Sequence, residues 1–160
     1  MPARTLRNVP VVLIIRDGWG RNPHPEQAAY DATKIAKTPV ADRLDREWPS
    51  TLIKTSGEDV GLPVGPDGPV MGNSEVGHQN IGAGRIVDQE VMRITRAIRD
   101  GRFFSNETMR GAFAHAKRQG TNVHVLGLLS DGQVHSDIAH AMAILDLAKR
   151  EAFPGDRVFV

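Results

Sequence analysis

No cysteine occurs in these 160 residues, which excludes disulfides and thiolate metal sites and suits a reducing, cytoplasmic compartment. Aromatic side chains are scarce, with one Tyr, two Trp and five Phe, and 20 Lys and Arg nearly cancel 19 Asp and Glu. A chain with a formal charge of +1 and so few stacking groups has little with which to hold a nucleic acid or an anionic membrane surface. No apolar run approaches the ~20 residues needed to span a bilayer. The basic segment Met1–Arg7 precedes an apolar stretch too short for a secretory signal, and no cleavage site follows. Three catalytic patterns are also missing: Ser-x-x-Lys, the Gly-x-Ser-x-Gly elbow and His-Glu-x-x-His.

What is present describes a globular chain, with 40% hydrophobic and 24% charged residues. Residues 9–15 form a continuous, β-branched apolar run that predicts a strand buried on both faces. Two helices are expected over 27–37 and 40–48, split by Thr38-Pro39, and then a short strand over 51–55. Residues 56–73 are so rich in Gly and Pro that they read as a long irregular loop, a feature usually functional or disordered. The composition shifts near Asp88. Residues 88–100 predict a helix with Val91, Ile94, Ala97 and Ile98 inward. The next helix has Ser105 or Asn106 as cap, buries Met109, Phe113 and Ala116, and stops at Gly120. A strand over 122–129 follows, then a helix capped by Ser136 or Asp137 with Ile138, Ala141, Met142, Leu145 and Ala148 inward, then a strand starting at Val158. Alternating strands and helices predict an α/β fold with parallel sheets. A strand that stops after three residues suggests a truncated piece of a longer chain.

The most informative segment is Met71-Gly72-Asn73-Ser74-Glu75-Val76-Gly77-His78-Gln79-Asn80-Ile81-Gly82-Ala83-Gly84. It places one serine between Gly72 and Gly77, beside a carboxylate and an imidazole. Glycines let backbone N–H groups approach a bulky anion without a Cβ in the way. Ser74 therefore reads as a nucleophile for a phosphoryl group, and also as a helix N-cap; the two roles are compatible, because the positive end of a helix stabilises bound phosphate. A serine hydroxyl needs activation near neutral pH. With the other motifs missing, metal coordination is the remaining common route, and it connects Ser74 to Asp17.

Asp17 follows the first apolar run, where α/β proteins place their sites and where a carboxylate can bind a divalent cation; Asp17-Gly18 is equally a common turn pair. His135 lies in the loop after the second long strand, again a site-bearing position, whereas His115 and His124 read as structural or surface residues. Gly82-Ala83-Gly84 lacks the third glycine and the preceding strand of a dinucleotide fingerprint. The arginines between Arg85 and Arg110 alternate with acids, as on a solvated helix face.

Three segments together carry a resemblance: Leu13-Ile14-Ile15-Arg16-Asp17-Gly18-Trp19-Gly20, the Ser74 segment, and Leu128-Leu129-Ser130-Asp131-Gly132-Gln133-Val134-His135-Ser136. In order and spacing they resemble the cofactor-independent (2,3-bisphosphoglycerate-independent) phosphoglycerate mutases, over the N-terminal third or so of such an enzyme.

The resemblance implies a metalloenzyme of the alkaline phosphatase superfamily that interconverts 3-phosphoglycerate and 2-phosphoglycerate in glycolysis and gluconeogenesis. Residues 1–88 would belong to a phosphatase-like domain and 89–160 to the first part of an inserted phosphotransferase domain. It implies two manganese ions and no 2,3-bisphosphoglycerate, with Asp17 and Ser74 as metal ligands, Ser74 as the phosphoserine and His135 on the substrate. The partner would be the small-molecule phosphoglycerate, and the chain a cytoplasmic monomer. Other ligands of the family, late Asp and His residues, an Arg-Asp pair and phosphate-gripping Arg and Lys residues, have no counterpart here, which implies a catalytically incomplete chain. A related metal-dependent phosphatase or phosphomutase of the superfamily is the alternative, although residues 130–136 favour the mutase; a non-catalytic fragment is the third.

Overall fold

A computed structural model describes residues 10–160. Arg4, Arg7 and Val9, the last of which opens the first expected strand, lie outside the described residues. Two compact units divide at Leu52 and Ile53. The architecture mixes helices with two small sheets.

In the first unit, Pro25–Tyr30 forms a 3-10 helix and is followed by α1 (Ala32–Ile35) and α2 (Pro39–Glu47). Asp31 caps α1, its Oδ1 accepting Thr33 N–H at 3.0 Å, and Pro39 starts α2, where its missing N–H costs nothing. The expected split at Thr38-Pro39 is present. The expected strand over 9–15 is absent among the described residues: residues 10–16 form no sheet pair there, and Val11 is 91% exposed. A strand buried on both faces needs hydrogen-bonded neighbours and covering helices. The described residues supply neither, so an apolar run alone does not become a strand. Residues 51–55 fail to form a regular strand for the same reason, with Leu52 and Ile53 both exposed.

The second unit, Ile53–Val160, spans residue 88 without a break. Its Gly/Pro-rich start is not irregular throughout. Gly57–Val60 is a 3-10 turn ending at Gly61, and β1 (Val64–Gly65) pairs antiparallel with β2 (Gly68–Pro69). Gly61 has φ +79 and a Cβ there would run into the Val87 carbonyl, so only glycine fits. Val60 and Leu62 bury against Val76 of α3 (Ser74–Ala83).

Helix α4 (Glu90–Arg99) packs Val91 against this cluster and half-buries Ala97 and Ile98 as expected, but departs from expectation at two positions. Met92 is fully buried, whereas Ile94 is exposed. Arg93 pairs with Glu90, Arg96 with Asp88 and Arg99 with Glu58, so this arginine-rich face is matched by acids.

The larger core lies among α5 (Glu107–Gln119), α6 (Ile138–Arg150) and a parallel pair, β3 (Val123–His124) and β4 (Val158–Phe159). Asn106 caps α5 through Met109 N–H, Gly120 ends it at φ +64, and Phe113 and Ala116 point inward as the pattern predicts. Phe113 meets Phe153 edge to face, with ring centroids 5.5 Å apart. The expected strand over 122–129 shrinks to Val123 and His124, with one further bond from Val125 N–H to Phe159 O at 2.7 Å; beyond it Leu126, Leu128 and Leu129 are exposed. In α6 the buried residues are Ala143, Leu147 and Ala148, while Met142 and Ile138 face out. This helix is apolar on nearly every side, so periodicity does not choose its face; Phe113 and Phe153 do. The strand–helix–strand order of β3, α6 and β4 gives the parallel crossover expected of an α/β chain. Among the described residues no helix is long and apolar enough to cross a membrane.

Candidate active site

Ser74 is positioned by the chain folding back on itself. Ser56 and Met71 form an antiparallel bridge, Gly57 N–H donates to Val70 O at 2.8 Å, and Gly72 N–H donates to Thr55 O at 2.9 Å. A Cβ on Gly72 would stand 2.6 Å from Thr55 O, so this glycine is required by backbone packing. Gly77 has open space around its missing side chain, and no structural neighbour accounts for it.

Asn73, not Ser74, is the N-cap of α3. Its backbone is extended and its Oδ1 accepts Val76 N–H at 3.0 Å. Asn caps at least as well as Ser and comes one residue earlier, which moves Ser74 to the first helical position. The electrostatic consequence survives the correction. Ser74 remains at the positive end of α3, on the surface. The nearby imidazole is not aimed at the hydroxyl: His78 Nδ1 contacts the Ser74 main-chain carbonyl one turn earlier. A carbonyl only accepts, so Nδ1 carries the proton. Glu75 accepts from Gln79 at 3.0 Å.

Asn80 anchors this helix, a role the sequence pattern did not reveal. Its Nδ2 donates to Val60 O at 3.1 Å and Val76 O at 2.8 Å, and its Oδ1 accepts Val87 N–H at 2.7 Å. Gln89 N–H adds a bond to Gly61 O at 2.9 Å. Gly84, with φ +62, ends α3 as a C-cap, which accounts for the second of the two glycines that mimic a nucleotide fingerprint.

His135 lies in the loop before α6 and lines a half-open cavity of about 450 Å³ with Leu128, Ser136, Asp137, His140 and Val160. Ser74 does not line it. Within the cavity wall, Ser136 Oγ is buried without a hydrogen-bond partner among the described residues, while Asp137 rather than Ser136 caps α6. His140 Nε2 lies 2.9 Å from Thr95 Oγ1, and burial pushes its pKa below the ordinary 6.5 while Asp137 opposes the shift. Neither His140 nor Gln133 stood out in the sequence.

Asp17 lies in the first unit, in a turn with Gly18 at φ +70. The turn reading of Asp17-Gly18 is thus present in the fold, and it leaves a ligand role open. A carboxylate and a hydroxyl are suitable oxygen donors for a hard divalent cation, but two donors are well short of a six-coordinate sphere. Among the described residues no group of three or more His, Asp or Glu side chains could hold a metal ion. The described residues alone therefore do not fit a complete manganese site.

The family profile described as BPG-independent PGAM N-terminus (iPGM_N) matches residues 94–160. A 2,3-bisphosphoglycerate-independent phosphoglycerate mutase of Rhodopirellula baltica is 62% identical over 96% of this chain and 28% of its own length. Proteins of the same name from Desulforudis audaxviator and Moorella thermoacetica are 52% and 50% identical over 89% and 96% of the chain. The chain spans about a quarter of the length of these relatives.

Proposed function

The chain is similar, along nearly its whole length, to the N-terminal portion of the 2,3-bisphosphoglycerate-independent phosphoglycerate mutases, and from this similarity we propose that it is the nucleophile-bearing part of such an isomerase. The reaction is the interconversion of 3-phosphoglycerate and 2-phosphoglycerate. The observation that carries the reading is the serine segment at the start of α3, inside an alignment 62% identical over 96% of the chain.

Ser74 Oγ attacks phosphorus as the P–O bond to glycerate breaks, and the serine proton ends on the released glycerate oxygen. Glycerate reorients while bound. Its other hydroxyl then attacks phosphorus, the Oγ–P bond breaks, and a proton returns to Oγ. Phosphoryl transfer asks the protein chiefly for positioning and charge neutralisation. The N–H groups of the first turn of α3 supply part of that, and the cap at Asn73 fixes their direction. His135 contacts the substrate.

Asp17 and Ser74 are proposed as two ligands of a two-manganese centre that needs further ligands. When bound, such ions would neutralise phosphate charge and lower the pKa of the serine hydroxyl. The domain reading follows the same similarity: residues 1–88 from an alkaline-phosphatase-like domain, and 89–160 opening an inserted phosphotransferase domain. The protein is proposed to work in the cytoplasm as a monomer, without 2,3-bisphosphoglycerate and without nucleic-acid or membrane partners.

Two assays test this. The 160 residues alone, supplied with manganese, should show no turnover in a coupled mutase assay, and turnover would refute the proposed incompleteness. A hybrid in which they replace the aligned part of the Rhodopirellula baltica relative should isomerise phosphoglycerate, and Ser74→Ala should abolish that activity. A fully active Ser74→Ala hybrid overturns the reading.

A further inference from the structure

Gln133 and His135 both hold left-handed backbone conformations, with φ of 57° and 65°. Non-glycine residues persist there only where their surroundings over-determine them. The surroundings here are specific. Ser130 closes the base of the loop, its carbonyl accepting Ile138 N–H at 2.8 Å and its Oγ accepting Gly132 N–H at 3.2 Å. Asp137, only 8% exposed, divides its carboxylate between two partners. Oδ1 accepts Ala139 N–H at 2.8 Å and caps α6; Oδ2 accepts Gln133 Nε2 at 2.7 Å.

A carboxylate without a proton only accepts, so the Gln133 amide has one permitted orientation. Its NH2 faces Asp137, and its Oε1 is left buried with no hydrogen-bond partner among the described residues. That oxygen lies against Gly65 of the β1–β2 hairpin, where an added Cβ would stand 2.8 Å from it. Capping alone would use one oxygen of Asp137. The second oxygen serves the loop, and His135 lies between the two anchored residues.

We propose that Asp137 is a positioning residue for His135, clamping Gln133 so that the loop holds the imidazole against the adjoining cavity. The inference rests on the reading of His135 as a substrate contact. Its structural half can be measured independently of that reading.

Nuclear magnetic resonance on the 160-residue chain makes the test. Intraresidue Hα–HN contacts and three-bond couplings report φ at His135, and amide exchange at Ala139 reports the cap. Asp137→Ser keeps a capping oxygen but is too short to reach Gln133; Gln133→Ala leaves the cap untouched. Both variants should keep Ala139 protected to within about threefold of wild type. In both, His135 should lose its positive-φ signature. Asp137→Asn should restore it, because its amide can cap with the oxygen and donate to a turned-over Gln133. Retention of the signature in both Asp137→Ser and Gln133→Ala overturns the proposal. Titration of the Rhodopirellula baltica hybrid with 3-phosphoglycerate separates the two readings: unmoved His135 resonances in the hybrid count against the substrate contact, while the φ measurement still decides the clamp.

Discussion

Thr95 of α4 and His140 of α6 are joined side chain to side chain, with Oγ1 and Nε2 2.9 Å apart. Thr95 Oγ1 also donates to Val91 O at 2.9 Å, so its one proton is committed. The hydroxyl must then accept from His140, which assigns the ring proton to Nε2 and leaves Nδ1 to take up a second proton.

This arrangement predicts a pH dependence of stability. Burial disfavours imidazolium and lowers the His140 pKa from 6.5, with Asp137 opposing. The unfolded chain therefore binds the proton more readily than the folded one. Stability from this group is complete above pH 6.5, and it is lost as pH falls below that value toward the lowered folded pKa. Glu58 and Asp100, held below their ordinary 4.5 and 3.8 by hydrogen bonds from Arg99 and Arg102, act at more acid pH. Thermal unfolding between pH 8 and 5 should fall less steeply in His140→Gln than in wild type. Parallel profiles would remove His140 as the cause.

The core of the second unit gives a sharper contrast. Leu147 is fully buried with Phe113 and Phe153, whereas Met142, five residues earlier on the same helix, is 58% exposed. Leu147→Ala should destabilise the unit by about 2–5 kcal/mol in chemical denaturation. Met142→Ala should stay within about 0.5 kcal/mol. Reversed magnitudes would put the helix in the orientation that its apolar pattern first suggests.

That contrast shows what the sequence could disclose. Ends of elements were legible because they depend on local chemistry: the caps at Asn106 and Asp137, the stop at Gly120, the break at Pro39. The parallel crossover from β3 to β4 was legible from the order of elements. The inward face of α5 was legible in Phe113 and Ala116, but that of α6 was not, since this helix is apolar on nearly every side and Phe113 and Phe153 decide which side is buried. Strands were over-read at residues 10–15, 51–55 and 125–129, because β-propensity describes fitness for a sheet and not the presence of partners. At the candidate site, the glycine-flanked serine and the His135 loop stood out as chemistry. Asn80 and Gln133 did not, because their importance lies in contacts across 20 residues and across a buried carboxylate.

Asn80 can be tested directly. Truncation to alanine strands Val87 N–H and Val60 O in a partly buried setting, a loss of about 1–3 kcal/mol. Asp should rescue little. Its oxygen can still accept from Val87, but its second oxygen would face the carbonyls of Val60 and Val76. Equal stability of Asn80→Asp and wild type by denaturant titration would show that α3 is held by other contacts.

Gly77 separates the demands of folding from those of chemistry. It lies inside α3 at a position where an added methyl meets nothing within 4 Å, so folding does not ask for glycine. Gly in a helix interior is worse than Ala by about 1 kcal/mol. Gly77→Ala should therefore stabilise the second unit by up to about 1 kcal/mol, while Asn73→Ala, which removes the cap, should cost about 1 kcal/mol. On the proposed phosphotransfer reading, glycine there would let a phosphoryl ligand come close to the first turn of α3. In the hybrid enzyme, Gly77→Ala should then raise the unfolding midpoint and lower phosphoryl transfer together. A variant that gains stability and keeps full activity would remove Gly77 from the anion site and leave Ser74 supported by the helix terminus alone.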